Sequence, residues 1–358
     1  MKQFMTIQEL LALTIKNNAS DLHLLPAIPP SIRLDGVLSH LLNYPVLTEE
    51  DIKTMIYSLL TPEQKELLIA NKELDFSFGF HDIPGENGRF RINVYFQRGY
   101  LSAAFRYLPP KIKTIEELKL PKIIHSFAQL KQGLVLVCGP TGHGKSTTLA
   151  AIINEINLNK SCHILTIEDP IEYVYPGGKS IISQREMGID THSWAMSLRS
   201  ALREDPDVVL IGEMRDAETM AAAITIAETG HLVFSTLHTN SASQSIDRIV
   251  DSFPPHQQGQ IRIQLAETLK GIVSQRLLPE IAGGRIAVAE ILVGNSAIAS
   301  NIRDGKTHLI DSIIQTSQNI GMVGLESSLA SLVLSGTISL ETARSYAVRP
   351  EELTRLIG

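Results

Sequence analysis

The chain has 358 residues, 44% hydrophobic and 20% charged, an ordinary globular composition with length enough for two domains that have separate cores. A formal net charge of −6 argues against a nucleic-acid partner, because proteins that grip phosphate backbones carry a basic face. Cys138 and Cys162 stand apart in apolar surroundings without a Cys-x-x-Cys pair, which excludes zinc-finger and dithiol chemistry and suits a reducing, cytoplasmic setting.

At the amino end Ile7, Leu10, Leu11 and Ile15 recur at helical spacing, while Glu9 and Lys16 interrupt any apolar run that would serve as a signal peptide. No stretch of the chain reaches the roughly 20 apolar residues of a spanning helix, so any membrane association is expected to be peripheral. Ile32 and Leu34 lead into Asp35-Gly36, a hairpin turn signal. Three alternating runs follow: Phe76, Phe78 and Phe80; Phe90, Ile92, Val94 and Phe96; Leu101, Ala103 and Phe105. Period-two alternation puts these side chains on one buried face and Arg89, Arg91, Asn93 and Gln97 on the other. An antiparallel sheet with a few helices is expected over residues 1–110, closed by the break at Pro109-Pro110.

From about residue 113 the pattern changes. Leu134 to Cys138, His163 to Ile167, Val208 to Ile211, Leu232 to Ser235 and Ile286 to Ile291 are short apolar runs, separated by helical stretches such as Lys145 to Asn157, Ser193 to Glu204 and Ala217 to Glu228. Apolar strands alternating with helices predict a parallel sheet covered on both faces, over 113–292. Helical patterns alone continue through 293–358.

The chemistry starts after the first of these strands, at Gly139-Pro140-Thr141-Gly142-His143-Gly144-Lys145-Ser146. The spacing Gly-x-x-x-x-Gly-Lys-Ser between a strand and a helix is the Walker A phosphate loop. Its glycines let main-chain amides turn inward, the helix adds its positive end, Lys145 reaches the β- and γ-phosphates, and the Ser146 hydroxyl binds Mg²⁺. ATP with Mg²⁺ is therefore the expected ligand pair. Two further strands end in acids: Glu168-Asp169-Pro170-Ile171-Glu172 and Gly212-Glu213. Either segment could hold the metal or orient and deprotonate the attacking water. His231 and His238 bracket another strand, where a neutral imidazole can sense a γ-phosphate.

Four blocks in this order resemble the type II/IV secretion ATPases, and within them the type IV pilus retraction (twitching-motility) ATPases. They are the Walker A block Gly139 to Thr148, which includes Thr147; the aspartate box Ile164 to Tyr173; the Walker B block Leu198 to Asp216; and the histidine box Ala227 to Thr239. Ala19-Ser20-Asp21-Leu22-His23-Leu24 resembles the family's opening motif. The resemblance implies an α/β chain: a PAS-like α+β first domain, a RecA-like second domain with a helical carboxy-terminal appendage, and a ring of six subunits. It makes Glu172 the general base, places Glu213 at Mg²⁺ and water, and makes His231 and His238 reporters of nucleotide state. Arg91, Arg98 and Arg106 would reach the phosphates of a neighbouring subunit. The implied partner is an inner-membrane pilus platform protein, with the ring docked on the cytoplasmic face.

Assembly-type relatives carry a tetracysteine insert and extra amino-terminal domains, which favours retraction for a chain holding two cysteines. An assembly or secretion motor remains the alternative, with a non-hydrolysing nucleotide switch behind it. One departure stands out: where retraction motors read Ala-Ile-Arg-Asn-Leu-Ile-Arg-Glu, this chain reads Ala297-Ile298-Ala299-Ser300-Asn301-Ile302-Arg303-Asp304.

Overall fold

A computed structural model describes residues 5–34, 36–80, 88–108 and 111–358. The expected break at Pro109-Pro110 and Asp35 of the predicted turn lie outside these residues. The chain divides into two compact units, residues 1–111 with 170–174, and residues 112–169 with 175–358.

The first unit runs α1 (Ile7–Lys16), β1 (Asp21–Leu24), β2 (Ser31–Leu34), β3 (Val37–His40), α2 (Glu49–Tyr57), α3 (Pro62–Asn71), β4 (Glu73–Phe80), β5 (Gly88–Gln97) and β6 (Tyr100–Leu108). Its strands form one antiparallel sheet in the order β3-β2-β1-β6-β5-β4. Each helix opens with a threonine, Thr6, Thr48 or Thr61, whose hydroxyl accepts the third helical amide while that residue's side chain returns a bond to the threonine N–H. This reciprocal cap satisfies two donors that a helix end otherwise leaves open. Phe90, Ile92 and Val94 are buried as alternation predicts, together with Phe76, Phe80, Leu101 and Phe105. Phe78 and Phe96 pack against this core but stay partly open.

The second unit continues with α4 (Ile124–Gln129), β7 (Gly133–Cys138), α5 (Lys145–Asn159), β8 (His163–Glu168), β9 (Ile181–Glu186), α6 (Trp194–Ala201), β10 (Val208–Ile211), α7 (Ala217–Glu228), β11 (Leu232–Leu237), α8 (Ala242–Asp251), α9 (Pro255–Thr268), β12 (Leu269–Pro279) and β13 (Arg285–Val293). Then come α10 (Ser296–Arg303), α11 (Ile310–Thr316), α12 (Leu325–Leu334), α13 (Leu340–Tyr346) and α14 (Pro350–Ile357). The sheet order is β13-β12-β7-β11-β10-β8-β9. All its pairings are parallel except β12 with β13. The strand expected at Ile286 to Ile291 is thus an antiparallel edge, because β12 and β13 are joined by a short hairpin and not by a crossover helix.

Alternate residues of β7 enter two different cores. Leu134, Leu136 and Cys138 pack with residues of α7, α8 and α9, whereas Val135 and Val137 pack with α4 and α5. A strand buried on both faces has no polar side to present, so its run is apolar throughout. The late helices share these cores with the sheet. Ile298, Ile302, Ile310 and Ile314 join the first, and Leu325, Leu329 and Leu353 cluster with Leu278, Ile286 and Val288 of the β12–β13 hairpin. In α10 the divergent Asn301 donates its side-chain amide to the Ala297 carbonyl at 2.8 Å, so the polar substitution is satisfied within its own helix.

Candidate functional site

A parallel sheet delivers every strand's carboxyl end to one edge, where ligands collect at the point of chain reversal. Here the chain leaves β7 in one direction toward β8 and later passes from β11 to β12 on the other side. Register aligns Cys138 with Leu237, Ser235 with Ile211, and Ile211 with Ile167. Residues 139–146, 168–169, 212–213 and 238 therefore emerge side by side.

The Walker loop is shaped by backbone that only glycine adopts cheaply. Gly139 has φ +141° and Gly142 φ +80°. A Cβ on Gly139 would lie 2.2 Å from the Gln275 carbonyl oxygen, so the position is closed by space as well as by angle. Gly142 has nothing within 4 Å of its Cβ position and lies on the open side. Helix α5 starts from Gly144 without a side-chain cap, which leaves its positive end to serve an anion. Lys145 is 8% exposed, and its Nζ donates to the carbonyls of Gly139 at 2.8 Å and Pro140 at 3.0 Å. The ammonium is thereby held inside the curve of the loop. Ser146 and Thr147 occupy the first turn of α5.

His143, the unusual loop residue, is fixed from behind. Its Nδ1 accepts the Leu277 N–H at 3.0 Å, and its carbonyl accepts from Gln275 Nε2 at 2.8 Å. An accepting Nδ1 carries no proton. Burial, then Lys145, Arg276 and Arg285, hold the imidazole pKa below its ordinary value, which agrees with that neutral ring.

Glu213, two residues beyond β10, is paired with Arg215 and lies 3.3 Å from His238 Nε2. The pairing with Glu213 raises the Arg215 pKa, so this guanidinium stays charged. His238 Nδ1 meets the Thr141 hydroxyl at 3.4 Å. Since a carboxylate only accepts, Nε2 of His238 is the donor to Glu213. One imidazole thus links the Walker loop to the Walker B acid. Glu168 accepts from Thr166 Oγ1 at 2.7 Å and from Gln184 Nε2 at 3.4 Å, and Asp169 follows it at the end of β8.

His231 is elsewhere. It precedes β11, so the seven residues to His238 span roughly 23 Å at about 3.3 Å per residue. Its Nδ1–H donates to the Ile226 carbonyl at 3.0 Å. The two histidines of the box therefore stand at opposite ends of β11 within a chain.

Glu172 belongs to the five-residue segment, Pro170 to Val174, that clusters with the first unit. Arg89 of β5 holds this segment, donating Nε to the Ile171 carbonyl at 3.1 Å and pairing with the Ser77 hydroxyl. The expected arginines separate into two groups. Arg91 and Arg106 are direct cross-strand neighbours, and Arg106 is in turn opposite Asp21. Arg91 lies 3.5 Å from Asp75 and Arg106 lies 3.1 Å from Asp21, so each like charge has an acid beside it. Arg98 sits exposed at the tip of the β5–β6 hairpin with φ +50° and does not join them.

Two residues with evident work escaped sequence reasoning, Arg89 and Gln275. Arg89 is one arginine among several on an alternating strand and carries no local mark. Gln275 did carry one, a polar Ser274-Gln275-Arg276 stretch set between the apolar pairs Ile272-Val273 and Leu277-Leu278. A buried amide must find partners, and these lay in the Walker loop.

The family described as type II/IV secretion system protein matches residues 111–284. The chain is 47% identical to a type IV pilus retraction ATPase, PilT, of Pseudomonas aeruginosa, over 97% of this chain and 99% of that protein. It is 46% identical to a twitching motility protein of Neisseria gonorrhoeae, covering 91% and 86%. A crystal structure of the pilus retraction motor PilT with bound ADP superposes with a TM-score of 0.91 at 47% identity, covering 98% of this chain and 99% of that one.

Proposed function

This chain belongs to the type II/IV secretion ATPase family and is an ATP-hydrolysing enzyme; from that premise we propose that it is a hexameric motor that drives retraction of type IV pili, and so twitching motility. The observation that carries the reading is near-full-length identity of 47% with a protein named for pilus retraction, on a chain whose carboxyl edge has an intact phosphate cradle. A triphosphate fits that cradle: left-handed glycines turn amides inward, α5 is uncapped, and a buried ammonium waits at its centre.

In this reading residues 139–147 bind the phosphates, with Lys145 on the β- and γ-groups. The Ser146 hydroxyl and the Glu213 carboxylate are the hard oxygen donors that Mg²⁺ takes, and they would hold it. Bound there, the ion would supply positive charge against the phosphates. Glu172 deprotonates the attacking water, and Glu168 and Asp169 supply polar groups beside it. His238 tells Glu213 whether the Walker loop is filled, since it touches both Thr141 and Glu213. Arg91 and Arg106 are the pair suited to reach a neighbouring subunit's phosphates.

No helix among the described residues is long and apolar enough to cross a membrane. Docking on an inner-membrane platform protein at the cytoplasmic face is part of the proposal. The test is a deletion strain together with phosphate release by the purified chain. Retraction predicts surface pili retained without twitching, and loss of surface pili would move the reading to an assembly motor.

A further inference from the structure

We propose that Gln275 is a positioning residue for the nucleotide loop, holding the Walker loop and the first turn of α5 in their phosphate-binding curvature before nucleotide arrives. This deepens the ATPase reading above and rests on it. Strand β12 is a rigid support. It pairs with β7 through Ser274 opposite Cys138, with β13 through Gln275 opposite Ala289, and on its other face Arg276 donates to the Tyr346 carbonyl of α13. Strand alternation turns Gln275 and Leu277 toward the loop.

The side chain of Gln275 is 2% exposed and uses both of its polar atoms. Oε1 accepts from Thr148 Oγ1 at 2.7 Å, and Nε2 donates to the His143 carbonyl at 2.8 Å. That carbonyl can only accept, which settles the end of the amide that carries nitrogen. One amide thus ties the loop to its helix, and Leu277 adds a third tie to His143 Nδ1. The same contact accounts for a motif glycine: a Cβ on Gly144 would fall 2.9 Å from Gln275 Nε2.

The test compares Gln275→Met, which keeps the volume without the hydrogen bonds, with Gln275→Glu. Two hydrogen bonds of this kind correspond to about a tenfold effect. Gln275→Met should raise the Kd for labelled ATP, and the KM, by about tenfold, with kcat at saturation changed less than about threefold, because bound nucleotide restores the ordered loop. Gln275→Glu sets a carboxylate against the His143 carbonyl. Once protonated it donates again, so its ATP affinity should recover toward wild type as pH falls, a profile Gln275→Met cannot show.

ATP binding by Gln275→Met within about twofold of wild type would overturn the proposal, as would identical pH profiles for the two variants. Thermal unfolding of both variants checks their folding, and if Gln275→Met does not fold, acid recovery of Gln275→Glu decides. Lys145→Ala runs alongside. If it loses ATP while Gln275→Met keeps it, only the positioning role falls; if it also binds normally, the phosphate-cradle reading falls with it.

Discussion

The two edges of the second sheet, seen at either end of β11, differ in how they treat their polar groups. At the amino edge four polar groups close locally, although Gly133, Gly230 and Asp205 there also have positive φ. His231 Nδ1–H is used by Ile226, the His231 carbonyl by the Gly133 N–H at 2.9 Å, the Asp207 carbonyl by Leu232 at 3.0 Å, and the Asp207 carboxylate by the His163 N–H at 2.8 Å. At the carboxyl edge α5 starts without a side-chain cap, the Lys145 ammonium is buried inside the loop, and the Glu213 carboxylate meets an imidazole. Local rules broken together at one place mark a site, because the strain and open donors are sustained by the packing beneath. Two histidines in one box thus have different work: one closes a turn, the other joins two motifs.

That contrast can be broken or sharpened in order of effect. The largest concerns cutting as opposed to holding. Glu172→Gln should lower ATP hydrolysis by about 10²–10⁴-fold while ATP affinity stays within about twofold, since a general base acts on the water and not on the phosphate cradle. Phosphate release and equilibrium dialysis measure the two separately, and loss of both would merge functions that the account keeps apart.

The next effect is on stability, behind the carboxyl edge. Glu290 of β13 is 6% exposed and accepts the Ala242 N–H at 2.8 Å, anchoring the start of α8 just after His238. Burial, ahead of every other cause, pushes its pKa up from 4.5 to about 7. Unfolded chains ionise this carboxyl first, so they hold fewer protons than the folded state between those values. Its contribution is therefore intact below about pH 4.5 and falls by about 3 kcal/mol as pH rises to about 7. Glu290→Gln should flatten that part of the stability profile in urea titrations; an unchanged slope would show that other groups produce it.

The smallest effects come from the histidines themselves. His238→Ala removes contacts to Thr141 and Glu213 and should slow hydrolysis about tenfold. His231→Ala should cost about 1 kcal/mol of stability and leave ATP affinity within about twofold. Equal losses of affinity in both variants would erase the distinction between the edges.

Much of this was legible in sequence where the signal is local. The apolar run into Gly139, the glycine spacing and Lys145 define the cradle because each constrains neighbouring backbone. Phe90, Ile92 and Val94 announced their buried face by alternation alone. What depends on pairing was not legible. Periodicity carries no direction, so β13 looked parallel, and β12 with its Gln275 was passed over between two clearer strands. Register makes Arg91 and Arg106 neighbours and sends Arg98 to a hairpin tip, and spacing in the chain encodes neither. His231 and His238 share residue type and motif, yet a strand's length separates their chemistry.

The central claim is that main chain and ammonium at residues 139–146 hold the triphosphate. Equilibrium dialysis of labelled ATP with Mg²⁺ against wild type and Lys145→Ala tests it most directly. Loss of one or two charge-assisted bonds, about 1.5–3 kcal/mol each, predicts affinity lower by on the order of 10–10⁴-fold. Equal binding by the two proteins would contradict the account.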